Sequence, residues 1–401
     1  MAKMAGSSNS WGFLIGLAGL VAVPPVACND SGTDTTAEVS ATVSALLAEV
    51  GPQAILPALA DFQTEVDDLT TRLIAWENVL ESGTGTDELV SAQTQWQATM
   101  AAWQRLEVMQ VGPAGSSLTA IGGADLRDEI YSWPTINPCR IDQETTYEVW
   151  NDADYFTTNL VNSYGLDALE HTLFSGLDNT CPGQVDINAD GTWDAMGESG
   201  LVANRAAFSI VLSEQLAAQA AELTAAWSPD GADFSGQLGG TIDGPYTSEQ
   251  EALNAVYDAL FYLETVTKDR KLGMPLGISD CGEDLCPEDV EGLTSGTGID
   301  AIVANLDGFE ELFTGGEGIG FDDLLTDLGH GDLSVQILTD LDAARALALT
   351  IDAPLDDAVV DQTAEIESLY DAIKAVTDTL KGDLATVLAL SIPSEAAGDN
   401  D

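Results

Sequence analysis

Nowhere does this chain show a convincing alternation of apolar and polar residues, the mark of a half-buried strand; its apolar residues instead return every third or fourth position. That periodicity confines the chain to packed helices, and the fold class expected is all-α. One helix is marked by Leu89, Trp96, Met100, Trp103 and Leu106, with Asp87 as its N-cap and Gly112-Pro113 as its stop, and the tryptophans read as core. Another is capped by Thr247 or Ser248, where Glu251 offers a capping box, and runs through Leu253, Val256, Leu260 and Leu263 to Lys268, ahead of Gly273, Pro275 and Gly277. Further helices are expected over 36–50 and on past Pro52 and Pro57 to about Leu80. Others fall over 199–227, 298–313, 319–329, 332–349 and 358–389, with short ones over 124–131 and 142–150.

The densest chemistry lies between Tyr164 and Gly176. Leu166, Leu169 and Leu173 form one helical stripe, and Asp167, Glu170 and His171, at i, i+3 and i+4, share the adjoining face. A shorter echo runs from Ala304 to Gly315, where Leu306, Asp307, Phe309 and Glu310 repeat Leu166, Asp167, Leu169 and Glu170. A repeat so far apart points to a duplicated helical unit, two halves around a shared core, rather than a solenoid. The expected organisation is an N-terminal helical bundle over 37–180, an acidic connecting loop over 181–198, a C-terminal bundle over 199–391 and an acidic tail over 392–401.

The first 27 residues carry one charge, Lys3, and an apolar run from Trp11 to Val23, followed by small residues up to Cys28. They read as a lipoprotein signal cut before Cys28, whose lipidated thiol would anchor the chain in the membrane, with 28–36 as a flexible tether. The alternative is an ordinary secretory signal. Four further cysteines, Cys139, Cys181, Cys281 and Cys286, form an even set that outside the cytoplasm suggests disulfides. The preferred pairing is Cys139 with Cys181 and Cys281 with Cys286, against free thiols or a metal knuckle. With 67 acidic and 12 basic residues the formal net charge is −55, which excludes nucleic acid as a partner. Such a surface is relieved by salt or by bound cations.

These segments occur in an order that resembles the imelysin family of bacterial envelope proteins, over nearly all of the mature length. The matching pieces are Trp96 and Trp103 leading to Glu107 and Gly112-Pro113; Ile130 to Pro134, ending Ser-Trp-Pro; and Gly165 to Gly176. Lys271 to Gly277, ending Met-Pro-Leu-Gly, Asn305 to Gly315, and the carboxy-terminal helix ending Asp399 to Asp401 complete the set. The resemblance implies two pseudo-symmetric helical bundles of four-helix type and a lipid-anchored protein of the bacterial cell envelope, facing periplasm or cell surface. It also implies a role in iron acquisition or metal handling, with iron-transport components as partners. The family's Gly-x-His-x-x-Glu signature keeps Gly165 and Glu170 but has Asp167 in place of histidine. A binding protein is therefore expected rather than an enzyme, with a metal-dependent peptidase using Glu170 as general base as the alternative.

Asp167, Glu170 and His171, with Asp307 and Glu310 of the echo, are the candidate ligands for a metal ion or small molecule between the bundles. Carboxylates favour hard cations such as calcium, magnesium or ferric iron over zinc. The alternative is that they cap or pair structurally, with His171 a satisfied interior residue. His171 and His330 are the only histidines, so a multi-histidine zinc site is excluded. A second cation candidate, Asp186, Asn188, Asp190, Thr192 and Asp194 around Gly191, matches the first nine positions of a calcium loop but has Gly197 at the twelfth. It reads as a structural calcium brace, or as an acidic turn-rich loop; with the brace, a calcium-stabilised surface scaffold is a further function. Lys268, Arg270 and Lys271, with Arg105, read as an anion contact, or as cations favoured at helix carboxy termini.

Overall fold

The structure, a computed structural model, describes residues 31–83 and 85–397. The leader, Cys28 and the chain end at Asp399 to Asp401 lie outside these residues, as does the start of the expected tether; from Ser31 onward the chain is already helical. Helix α1 (Ser31–Val50) passes through a π-helical turn, Gly51–Ile55, into α2 (Leu56–Val79). Pro52 and Pro57 do not break this run, because the wider turn accommodates the donors and space that proline denies an α-helix. Then come α3 (Thr86–Glu107), α4 (Pro138–Tyr147), α5 (Leu166–Phe174) and α6 (Thr192–Trp227), the last kinked at Gly197. Helix α7 (Glu249–Leu260) leads into an eleven-residue π-helix, Leu263–Gly273, followed by α8 (Gly298–Thr314), α9 (Gly331–Ala348) and α10 (Thr363–Thr379). No strand occurs among the described residues, and the protein is all-α.

Two helical groups share one core. In the first, α2 packs on α3 and α6, and α6 also receives α4 and α5. In the second, α9 packs on α10, α10 on the π-helix, and α8 on both α9 and the π-helix. Helix α6 makes its main contacts within the first group, with α2, α4 and α5. Helix α1 packs against α7 and the short helix Phe321–Asp327. Burial is continuous from Phe62, Trp96, Trp103 and Phe208 to Leu306, Phe309, Ile337 and Ile373, and each such side chain contributes roughly 1.5–3 kcal/mol.

The span Val39–Val79 is long and apolar enough to cross a membrane by length and composition. Here its apolar face, including Leu46, Leu47, Leu59, Phe62 and Leu69, is buried in the protein core.

The seam between the groups is the crossing of α3 and α8. Gly308 lies against the α3 backbone so closely that a Cβ there would stand 2.0 Å from the carbonyl oxygen of Arg105. Asn305, one turn earlier, donates from Nδ2 to the Gln104 carbonyl at 2.7 Å, so the seam is held by both packing and hydrogen bonding. Both disulfides form as paired from the sequence, with Cα–Cα distances of 4.6 Å for Cys139–Cys181 and 6.2 Å for Cys281–Cys286.

Candidate functional site

Helix α5 begins at Gly165, whose φ of 90° favours glycine and where a Cβ would meet the Ile130 carbonyl oxygen at 2.6 Å. That contact brings the start of α5 against the Ser132 segment. Asp167 accepts hydrogen bonds from the Ser132 amide at 3.2 Å and from Ser132 Oγ at 2.5 Å. Glu170 turns toward the second group, its Oε1 accepting from Thr294 Oγ1 at 2.8 Å and the Ser295 amide at 3.0 Å. His171 turns back into the first group, between Asp142 at 2.8 Å and Ser175 Oγ at 2.9 Å. The expected single ligand face is thus corrected. At about 100° per residue, Glu170 and His171 point far apart although each lies near Asp167. Each group is engaged by a different part of the protein, and the three do not form a metal shell.

Burial pushes the Asp167 carboxyl up to about 7, with the Ser132 and Ala168 hydrogen bonds and the Arg127 charge offsetting it only in part. The native state therefore holds this proton where the unfolded chain has released it. Stability is expected to fall by roughly 4 kcal/mol as pH rises from about 4 to 7, and Asp167→Asn should remove that slope from denaturant titrations. An unchanged slope would show that Asp167 ionises normally. Asp142 behaves oppositely: burial works against its charge, but hydrogen bonds from His171 and Thr180 hold it below the ordinary carboxylate value.

The other sequence candidates are dispersed. Asp307 and Glu310 both pair with Arg345 of α9, Asp307 at 2.8 Å, so the echo in α8 does not share the partners of α5. In the calcium-loop candidate, Gly191 supplies the left-handed turn at φ 69°, but Asp186, Asp190, Thr192 and Asp194 are exposed. Asn188 is engaged by Asn179 and by the Cys181 carbonyl, and Ile187, Trp193 and Leu201 form a small core of their own. Among the described residues no group of three or more histidine, cysteine or carboxylate side chains is placed to hold a metal ion.

The basic cluster also separates. Arg105 bonds Glu311 at 2.6 Å on another surface. Lys268 and Lys271 do not end a helix but lie within the π-helix, fully buried. Lys268 is ion-paired with Glu264 at 3.2 Å and Asp269 at 3.0 Å, and Lys271 with Glu291 at 2.9 Å. Neither is available as an exposed anion contact; Arg270 alone of the three is exposed.

A buried polar network at the seam escaped the sequence reading. Lys271 Nζ donates to Gln104 Oε1 at 2.5 Å, and Gln104 Nε2 and the Tyr131 hydroxyl donate to Glu291 Oε1 at 3.0 and 2.8 Å. On the other side of Tyr131, Arg127 reaches Glu107 Oε1 through Nε at 2.8 Å and Nη2 at 2.5 Å. Burial, and then the charges of Glu291, Glu107, Glu170 and Asp167, push the Tyr131 phenol far up. The Tyr262 phenol is raised by burial and by Glu107 beside it. The Tyr262 hydroxyl lies within hydrogen-bonding reach of the Glu107 carboxylate, which also holds Arg127. The signal available in the sequence was scarcity: Arg127 and Lys271 are two of only 12 basic residues.

This network backs an open crevice of about 1440 Å³ that has Arg127, Trp133 and Tyr262 among its walls. The 115–121 loop borders it on one side, α7 and the π-helix on another, and the chain from Ser391 to Glu395 on a third.

Two packed helical groups joined across a polar seam, with a crevice beside it, define an all-α protein of two-bundle type. The imelysin family model matches residues 33–381, and the chain belongs to that family. Its fold is similar to that of an imelysin-like protein from Psychrobacter arcticum, with 19% identity, 88% of this chain and 97% of that chain covered, and a TM-score of 0.67. It is also similar to a candidate iron-regulated protein A precursor from Parabacteroides distasonis, with 15% identity, coverage of 87% and 95%, and a TM-score of 0.66. No curated protein matches the chain.

Proposed function

We propose that this imelysin-family protein is an envelope-anchored binding protein that holds a small organic ligand or metal chelate in the crevice between its two helical groups, in the service of iron or metal handling. The observation that carries this reading is the crevice itself, open between the two groups and walled by Arg127, Trp133, Phe261 and Tyr262. A cleft of this size that joins aromatic walls to a few polar groups is the kind of place where small ligands bind. The metal connection rests on the family and on the iron-regulated description of one structural neighbour. The envelope location rests on the leader and Cys28.

The bare cation that the family signature implies is not favoured by these residues. Asp167, Glu170 and His171 are committed to separate partners and diverge, so the metal in this reading is cargo within a chelate. The same geometry disfavours a peptidase, since Glu170 Oε1 already accepts two hydrogen bonds from the 294–295 loop.

The test is native mass spectrometry of mature protein purified without chelator, before and after incubation with ferric citrate, beside Ala255→Trp, which places a large side chain on the crevice wall. A small-molecule or ferric adduct present in the parent and lost from the folded variant is expected. An adduct retained in Ala255→Trp would overturn the crevice assignment. Chelator-sensitive cleavage of unfolded casein that disappears in Glu170→Gln would replace binding by peptidase chemistry.

A further inference from the structure

The charged side chains lining the crevice divide into those already partnered and those left open. Arg127 is held by Glu107 and Asp128, Asp269 pairs with Lys268, and Glu251 accepts from the Thr247 amide and hydroxyl. Arg270, Asp258, Asp280 and Glu395 also line it, and among the described residues none of these four side chains has a hydrogen bond or ion pair.

An open guanidinium is notable in a chain with 67 acidic and 12 basic residues. Arg105, Arg127, Arg140 and Arg345 all hold carboxylates, and Arg205 holds two carbonyl oxygens. Apart from Arg72 on the exposed side of α2, Arg270 is the described guanidinium without such a partner. At the other end of the same wall the reverse holds. Asp258 and Glu395 both line the crevice there, and partial desolvation followed by the Glu395 charge pushes the Asp258 carboxyl up to about 6, with no protein cation to offset it.

We infer that the crevice takes an amphoteric organic ligand, whose anionic group is bound by Arg270 and whose ammonium or guanidinium group is bound between Asp258 and Glu395. This rests on the reading of the crevice as the ligand site. A simple anion would leave the two carboxylates repelling each other, and a simple cation would leave Arg270 open; a ligand with both charges satisfies both ends. Asp258 lies on α7 and Arg270 twelve positions later on the π-helix. At the helical rise of 1.5 Å per residue their backbones stand at most about 18 Å apart. The wall between them carries Phe261, Tyr262, Thr265 and Val266, with Tyr370 and Met274 nearby in the lining. It suits an apolar or aromatic stem with the two charges at its ends.

Isothermal titration with 6-aminohexanoate, 8-aminooctanoate and 12-aminododecanoate, against dodecylamine and dodecanoate, tests this directly. The longest amino acid is expected to bind at least tenfold more tightly than either single-charge control. Arg270→Gln should reduce it to the affinity of the amine, and Asp258→Asn/Glu395→Gln to that of the acid; all three side chains are solvent-exposed, and circular dichroism checks the fold. Equal affinity for the two-charge and one-charge probes, or no effect of Arg270→Gln, would overturn the inference. If single-charge probes bind equally well and are lost in Ala255→Trp, the crevice reading stands and only the ligand class fails. If no probe binds and Ala255→Trp retains the adduct of the parent protein, both fail together.

Discussion

Lys271→Met is expected to destabilise the protein by about 3–5 kcal/mol, because it removes the ammonium that neutralises Glu291 in the interior. Lys271 is fully buried and Glu291 is 2% exposed, so water cannot take the place of the lost charge. Burial already raises the Glu291 carboxyl, the Lys271 charge pulls it back and Glu107 pushes it up again. Without Lys271 the carboxylate must take up a proton or force the seam open. Urea denaturation followed by circular dichroism measures the loss. The double variant Lys271→Met/Glu291→Leu should regain a large part of it, since exchanging a buried pair for apolar groups is often neutral. A loss under 1 kcal/mol in the single variant would mean that Glu291 is not charged in the folded protein.

Gly308→Ala is expected to be the second most damaging change. Alanine favours a helix over glycine by about 1 kcal/mol. Against that gain, the added methyl would sit 2.0 Å from the Arg105 carbonyl oxygen and 2.8 Å from its carbon, which are backbone atoms of α3 and cannot rotate away. The helices must separate, and overpacking of this kind costs about 3 kcal/mol or more when backbone has to move. The steric cost wins, with a net loss of about 2 kcal/mol, read as a lower thermal midpoint. A raised midpoint would show that α3 and α8 approach less closely than described.

The helices were legible because periodicity and punctuation are local. Leu253, Val256 and Leu260 lie on a buried face, the cap is Ser248, one of the two residues offered for it, and the two disulfides follow from an even cysteine set. The seam network was not legible because its members come from five separate segments around residues 104–107, 127–131, 262–271, 291 and 305. Each reads singly as an ordinary polar residue. Asp167, Glu170 and His171 failed in the other direction. Their spacing was read correctly as one helix, but a helix surface is wide enough for neighbouring residues to address different partners. The π-helix was hidden as well: the run looked finished at Lys268, because α-helical spacing offers no reason for two lysines to be buried three residues apart.

The placement of the cations has a consequence for how the molecule meets its surroundings. Lys268 and Lys271 are wholly enclosed, Arg127 is largely so, and Lys381 is tied to Glu264. With so few positive groups turned outward, the exterior behaves as a nearly uniform polyanion wrapped in an atmosphere of mobile counterions. At an ionic strength of 0.1 M that atmosphere damps the repulsion beyond about 10 Å, while the enclosed pairs are screened much less. Dissolved salt thus governs the company this protein keeps, and desolvation governs its internal joint.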